Sequence, residues 1–166
     1  MLTFLIALSF CGTMIYAAIS DLLIMKISNI ACLFLAASFL IFAPLYGLPL
    51  QDVLFHILAG FSALIICFGL FSLNAMGGGD AKLISATVLW TGFSTGLVDY
   101  LLISAILGGV LTLAILVLRK SINRARIQHI GFLYRLTDPA KGIPYGIALG
   151  FAGLCIYPKL PFYWVI

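Results

Sequence analysis

Glutamate is absent from this chain, and charge of either sign is scarce: 8% of its 166 residues are Asp, Glu, Lys or Arg. A soluble domain carries about 25%. That shortage, beside 64% hydrophobic residues, excludes a soluble globular protein and gives an all-α integral membrane protein. The length fits one domain, 1–166, built as a bundle of about six transmembrane helices. Cysteine is present only as Cys11, Cys32, Cys67 and Cys155, each alone in an apolar run with no Cys-x-x-Cys. They read as small packing residues buried in the bundle, which leaves no disulfide framework. Without metal-ligand spacing or a phosphate-binding loop, no cofactor is expected. The net charge of +4 is carried locally and suits an anionic lipid face rather than nucleic acid, so membrane lipids are expected partners. Residues 1–20 lack the basic start of a secretory signal and are long enough to span, so they are read as a helix.

A membrane span needs about 20 mostly apolar residues. Candidate spans cover 2–20, 30–48, 53–73, 83–98, 100–118 and 143–156. The fourth is short and rich in Gly and Thr. Pro44 is expected to bend or end the second span, 49–52 to form a tight connection, and Pro144 to sit in the first turn of the sixth. Tyr157, Phe162, Tyr163 and Trp164 form an aromatic tail suited to a membrane interface. With six spans, Lys26, Lys82, Arg119, Lys120, Arg124, Arg126, Arg135 and Lys141 share one side, and only Lys159 lies on the other. The positive-inside rule then puts these connections in the cytoplasm and both termini outside. The basic segment 119–142, with Ile127, Ile130, Leu133 and Tyr134 at roughly helical spacing, reads equally well as a solvated loop or an interfacial helix.

One polar break stands out, Ala75-Met76-Gly77-Gly78-Gly79-Asp80-Ala81-Lys82. Its glycines permit positive φ and close approach of another backbone, and an acid near membrane depth reads as functional. Asp80 could also simply N-cap the fourth span. Asp21 ends the first span, where the helix dipole disfavours an acid. Both acids fall on the cytoplasmic side. Two carboxylates sharing a proton form the working pair of aspartic proteases. If these two meet, helix ends alone would leave the proton on Asp21 and the charge on Asp80. His56 reads as a packed or interfacial histidine, and His129 as solvated.

Gly77-Gly78-Gly79-Asp80 resembles the GxGD signature of membrane-embedded aspartic proteases. Asp21 followed by Lys26-Ile27-Ser28-Asn29 is similar to the first catalytic motif of type IV prepilin peptidases, with Ser28 where the family has proline. Ile143-Pro144-Tyr145-Gly146 resembles the proline-aromatic motif opening a late helix in that family. The likeness covers the chain in order and is strongest to the short forms serving tight-adherence (Flp-type) pili. It implies an aspartic endopeptidase of the bacterial inner membrane, cleaving a prepilin leader after a glycine on the cytoplasmic face. Asp21 and Asp80 would be catalytic. Gly77, Gly78, Gly79, Lys26, Asn29, Lys82, Pro144 and Tyr145 would support them, Lys82 chiefly as an interfacial anchor. Larger relatives add a domain with paired Cys-x-x-Cys motifs and methylate the new N-terminus; lacking those motifs, this chain inherits neither zinc nor methylation from the resemblance. Two rival classes are a small transporter or ion pathway, and a structural subunit of a pilus or secretion apparatus.

Overall fold

The computed structural model describes residues 1–121, 129–139 and 141–162, and among these it contains helices and no strand. In chain order the helices are α1 (Leu2–Ile24), α2 (Asn29–Tyr46), α3 (Leu50–Ser72), α4 (Gly78–Thr91), α5 (Thr95–Ser121), the short α6 (Gly131–Leu136) and α7 (Gly146–Ile156). A 3-10 turn, Tyr157–Lys159, extends α7. Each expected span is therefore a helix. Four of them (α1, α2, α3 and α5) are long and apolar enough to cross a membrane.

The two shorter expected spans, α4 and α7, occupy the inside. α4 packs mainly on α3 and α2, and α7 on α1 and α5. Along α4 every residue from Leu83 to Thr91 is buried. The long helices turn Phe4, Leu8, Phe34, Ile41, Phe61, Leu113 and similar side chains outward, an apolar surface made for lipid. Helix direction alternates. α1 brings Asp21 to the start of α7, α2 begins where Asn29 meets Lys82 of α4, and the end of α7 returns to the start of α5 through a Lys159–Asp99 ion pair of 2.7 Å.

Several boundaries differ from the sequence reading. Pro44 lies inside α2, which closes only at Gly47, a C-cap in the left-handed region (φ 89°). Leu50–Asp52 form the first turn of α3, with Pro49 as its N-cap, so the connection before it is shorter than expected. The fourth span starts earlier and ends at Thr91, where Gly92 (φ 58°) breaks the chain. A side chain at 92 would meet the His56 ring at 2.8 Å. His56 itself is packed as expected, stacked on Phe39 at 5.2 Å with Nδ1 2.9 Å from the Leu89 carbonyl. Tyr145 is the N-cap of α7, so Pro144 stands just before the helix and not in its first turn.

Of the aromatic tail, Tyr163 and Trp164 lie outside the described residues, as does Ile127. Phe162 is not interfacial; it is fully buried against Phe39, Tyr46 and Trp90. Its ring completes the aromatic core at the end of the bundle opposite Asp21. The four thiols are free, but Cys155 is exposed and Cys11 half-buried, so burial of all four is not found.

Close packing of α7 on α1 depends on glycine. A Cβ at Gly150 would lie 2.7 Å from the Met14 carbonyl oxygen and 2.9 Å from Ala18 Cβ, whereas one at Gly109 of α5 would meet nothing within 4 Å. Gly150→Val is therefore expected to destabilise the bundle by about 1–3 kcal/mol, the usual cost of overpacking. Thermal unfolding in detergent should show the lowered midpoint, with Gly109→Ala unchanged or raised. Equal midpoints for the two variants would refute this packing.

Candidate active site

Asp21 lies in the last turn of α1, where it is 6% exposed. Helix α1 ends three residues later because Met25 adopts a left-handed conformation (φ 54°), its N–H donating to the Asp21 carbonyl. Residues 25–28 then reverse the chain. The Ser20 hydroxyl steadies this reversal by donating to the Lys26 carbonyl at 2.8 Å. Ser28 caps α2, its hydroxyl accepting from the Ile30 N–H at 3.2 Å. A serine can thus perform a capping job here that proline could not.

From the other side comes the glycine break. Its expected positive φ is not found: Gly77 has φ −71° and caps α4, while Gly78 and Gly79 begin the helix. Close approach is their use. A Cβ on Gly79 would press on Ile27 Cβ at 3.2 Å, and one on Gly78 on the Phe71 ring at 3.2 Å. Asp80 is accordingly the third residue of α4 and not its cap. Its Oδ2 folds back over Gly77, 2.8 Å from where a Cβ would stand. Asn74, in the left-handed region (φ 57°), turns the chain out of α3 towards this break.

The third wall is the start of α7. The Gly146 N–H donates to Asp21 Oδ2 at 2.7 Å. A side chain at 146 is excluded, since its Cβ would lie 2.8 Å from both Asp21 Cβ and Oδ2 and 2.9 Å from Ile27 Cδ1. Ile27 is therefore wedged against both glycine segments. Tyr145 swings away onto α5, where its ring lies over Gly108 and its hydroxyl is 3.1 Å from Thr112 Oγ1.

These three walls enclose a cavity of about 340 Å³ that both Asp21 and Asp80 line, together with Lys26, Gly77, Gly78, Gly79 and Pro144. The carboxylates are close enough to interact electrostatically. The Gly146 donor, bonded at 2.7 Å, favours a negative charge on Asp21 and opposes the proton assignment that helix ends alone suggest, while the Gly77 N–H acts in the same sense on Asp80. Lys82 points elsewhere. Its ammonium donates to Asn29 Oδ1 at 2.8 Å, tying α4 to α2, so it acts as a strut between helices rather than only as an anchor in the interface. Among the described residues no cluster of three or more His, Cys, Asp or Glu side chains is placed to hold a metal.

Sequence reasoning missed Gly146 and Ile27 as site residues. Both stand inside motifs quoted above, but nothing in a linear reading says that one supplies a hydrogen bond and the other a wedge. It also missed the basic struts. Arg135 of α6 donates to the Leu23 carbonyl at the end of α1. Arg119, at the end of α5, donates to the carbonyls of Leu136, Lys141 and Gly142 at 2.9, 2.9 and 3.1 Å. Loose carbonyls at helix ends need such donors.

Comparison with curated proteins and with solved structures gives no match. Comparison with protein families does: the type IV leader peptidase family matches residues 8–113, more than half of the chain, and that stretch contains both Asp21 and Asp80. This multi-pass membrane protein belongs to the type IV leader peptidase family.

Proposed function

We propose that the chain is an aspartic endopeptidase that removes the leader of a type IV, Flp-like prepilin. On this reading cleavage follows a glycine at the cytoplasmic face of the inner membrane, and Asp21 and Asp80 are the catalytic pair. The observation that carries the reading is their convergence: two acids 59 positions apart in the sequence line one cavity at the end of the bundle. Basic residues outnumber other charges around that end, with Lys26, Lys82, Arg119, Arg135 and Lys141 beside Asp138, which favours the cytoplasmic side.

Adjacent carboxylates cannot both ionise cheaply, so the pair holds one proton. Asp21, with the Gly146 N–H on its Oδ2, carries the charge and takes a proton from water as the water oxygen attacks the scissile carbonyl. Asp80 carries the shared proton and passes it to the departing amine. The three glycines at 77–79 leave room for an extended substrate backbone beside Asp80. A transporter reading is disfavoured because both cavity acids lie at one end of the bundle; at the other, Asp99 is paired with Lys159 and Asp52 is exposed in the first turn of α3.

The test is direct. Purified protein in lipid vesicles should cleave a membrane-inserted prepilin-type precursor, and sequencing of the product should place the cut after glycine. Because among the described residues the site offers two carboxylates and no His or Cys as metal donors, excess EDTA is expected to leave the rate within about two-fold of the control. Loss of activity restored specifically by a divalent metal would overturn the two-aspartate mechanism.

A further inference from the structure

Helices α4 and α5 follow one another in the chain, yet they barely touch. Near the Gly92 turn the buried Tyr100 of α5 lies beside Thr87 of α4. Away from that turn α4 leans on α3, and α5 leans on α7. The two therefore diverge towards the Asp80 end. The divergence leaves a groove of about 590 Å³, lined by Ala75, Gly77, Asp80, Leu101, Ser104 and Ala105 among others. That volume matches about one to one and a half turns of helix, taken as a 10 Å cylinder rising 1.5 Å per residue.

We infer that this groove seats the first turns of the substrate's own membrane helix, just beyond the bond to be cut; the inference rests on the peptidase reading above. Three features select this occupant. The groove is continuous with the acid-lined cavity, sharing Gly77, Asp80, Gly142 and Ile143 with it. Its mouth faces the lipid, since Leu101 and Ala105 are exposed on α5, so an apolar helix can slide in sideways without leaving the bilayer. Small residues, Ala75, Gly77 and Ala105, let two helix backbones approach closely, which is how helices associate in lipid. The larger groove between α1 and α2, about 690 Å³ around Gly12 and Ala37, reaches neither aspartate. A helix seated there could not present its end to the acid pair.

The experiment places a photoreactive benzophenone residue at Ala105 or at Ala37 in an Asp80→Asn background, which holds the precursor uncleaved. Both proteins are reconstituted with a membrane-inserted prepilin-type precursor and irradiated. The expected result is a precursor adduct from position 105 at least ten times stronger than from position 37. Equal adducts, adducts to lipid alone, or adducts joining two copies of this chain would each overturn the groove assignment. In the unmodified catalytic background, Ala105→Trp should raise KM at least ten-fold while kcat and the thermal midpoint stay near wild type, and Ala37→Trp should change neither constant. An unchanged KM for Ala105→Trp sinks the proposal. Failure of the peptidase reading looks different: the wild-type protein would then leave the precursor uncut, or Asp80→Asn would cleave it at the wild-type rate, whatever the adducts.

Discussion

Asp21→Asn and Asp80→Asn should each reduce cleavage of a membrane-inserted prepilin-type precursor by at least about 10⁴-fold, the scale on which members of a cooperating catalytic set fail singly. Asn keeps the size and shape of Asp but can neither accept the water proton nor hold the shared one. The double variant should be no worse than either single variant, because half a pair does nothing. Both proteins should still fold. Among the described residues Asp80 makes no ion pair that its loss would leave unsatisfied, and an Asn at 21 can still accept from the Gly146 N–H through its amide oxygen. Cleavage assays beside thermal unfolding in detergent check both halves of the expectation. Either variant retaining more than a hundredth of wild-type activity would dismiss the pair. Site-resolved titration showing the proton on Asp21 would reverse only the division of roles.

The second large effect is expected at Gly146. Its N–H holds one Asp21 oxygen, and the space where a side chain would begin is already filled by Asp21 and Ile27. Even Gly146→Ala must push α7 away from α1 or swing the Asp21 carboxylate out of line. Displacing a reacting group by about 1 Å typically costs two orders of magnitude in rate, so cleavage should fall about 100-fold. The fall should appear in kcat, because nothing at Gly146 belongs to the groove proposed for the substrate helix. Destabilisation should be about 1–3 kcal/mol, visible as a lower unfolding midpoint. Gly146→Ala with activity within two-fold of wild type would mean that Asp21 needs no support from α7.

How far these features can be read from the sequence depends on what kind of physics sets them. Lipid demands apolar residues and closed backbone hydrogen bonds along every span, so the helices announce themselves by composition. Asp21 and Asp80 announce themselves by being acids where acids are costly. The limits of α4 are harder to see: it is buried on all sides, so no polar face marks its period, and its ends are fixed by Gly77 and Gly92. The three glycines look like a flexible turn when only their own freedom is considered. In three dimensions two of them are helical, and their value is what they leave empty for Ile27 and Phe71. Phe162 follows polar and proline residues near the end of the sequence and looks interfacial, but Trp90, Phe39 and Tyr46 leave a socket for it. Such sockets, like the Gly146 bond to Asp21 across 125 positions, belong to tertiary packing and leave no local mark.

The unequal lengths of the helices set the depth at which the acids work. α4 has 14 residues, about 21 Å, against a hydrocarbon thickness of about 30 Å. From Gly108, where Tyr145 rests, α5 runs on to Ser121 for about 20 Å more, still presenting Leu113 and Val117 outward. The rim formed by α5 therefore reaches well beyond the level at which α7 begins. On the peptidase reading, with α5 held in lipid along that length, the acid pair works in a recess below the rim, a local mismatch that a bilayer accommodates by thinning. For a substrate cut there, the bond is severed below the headgroup plane. The polar fragment escapes upward into water, and the freshly made amine begins its life already submerged, on the membrane side of the boundary it had spanned.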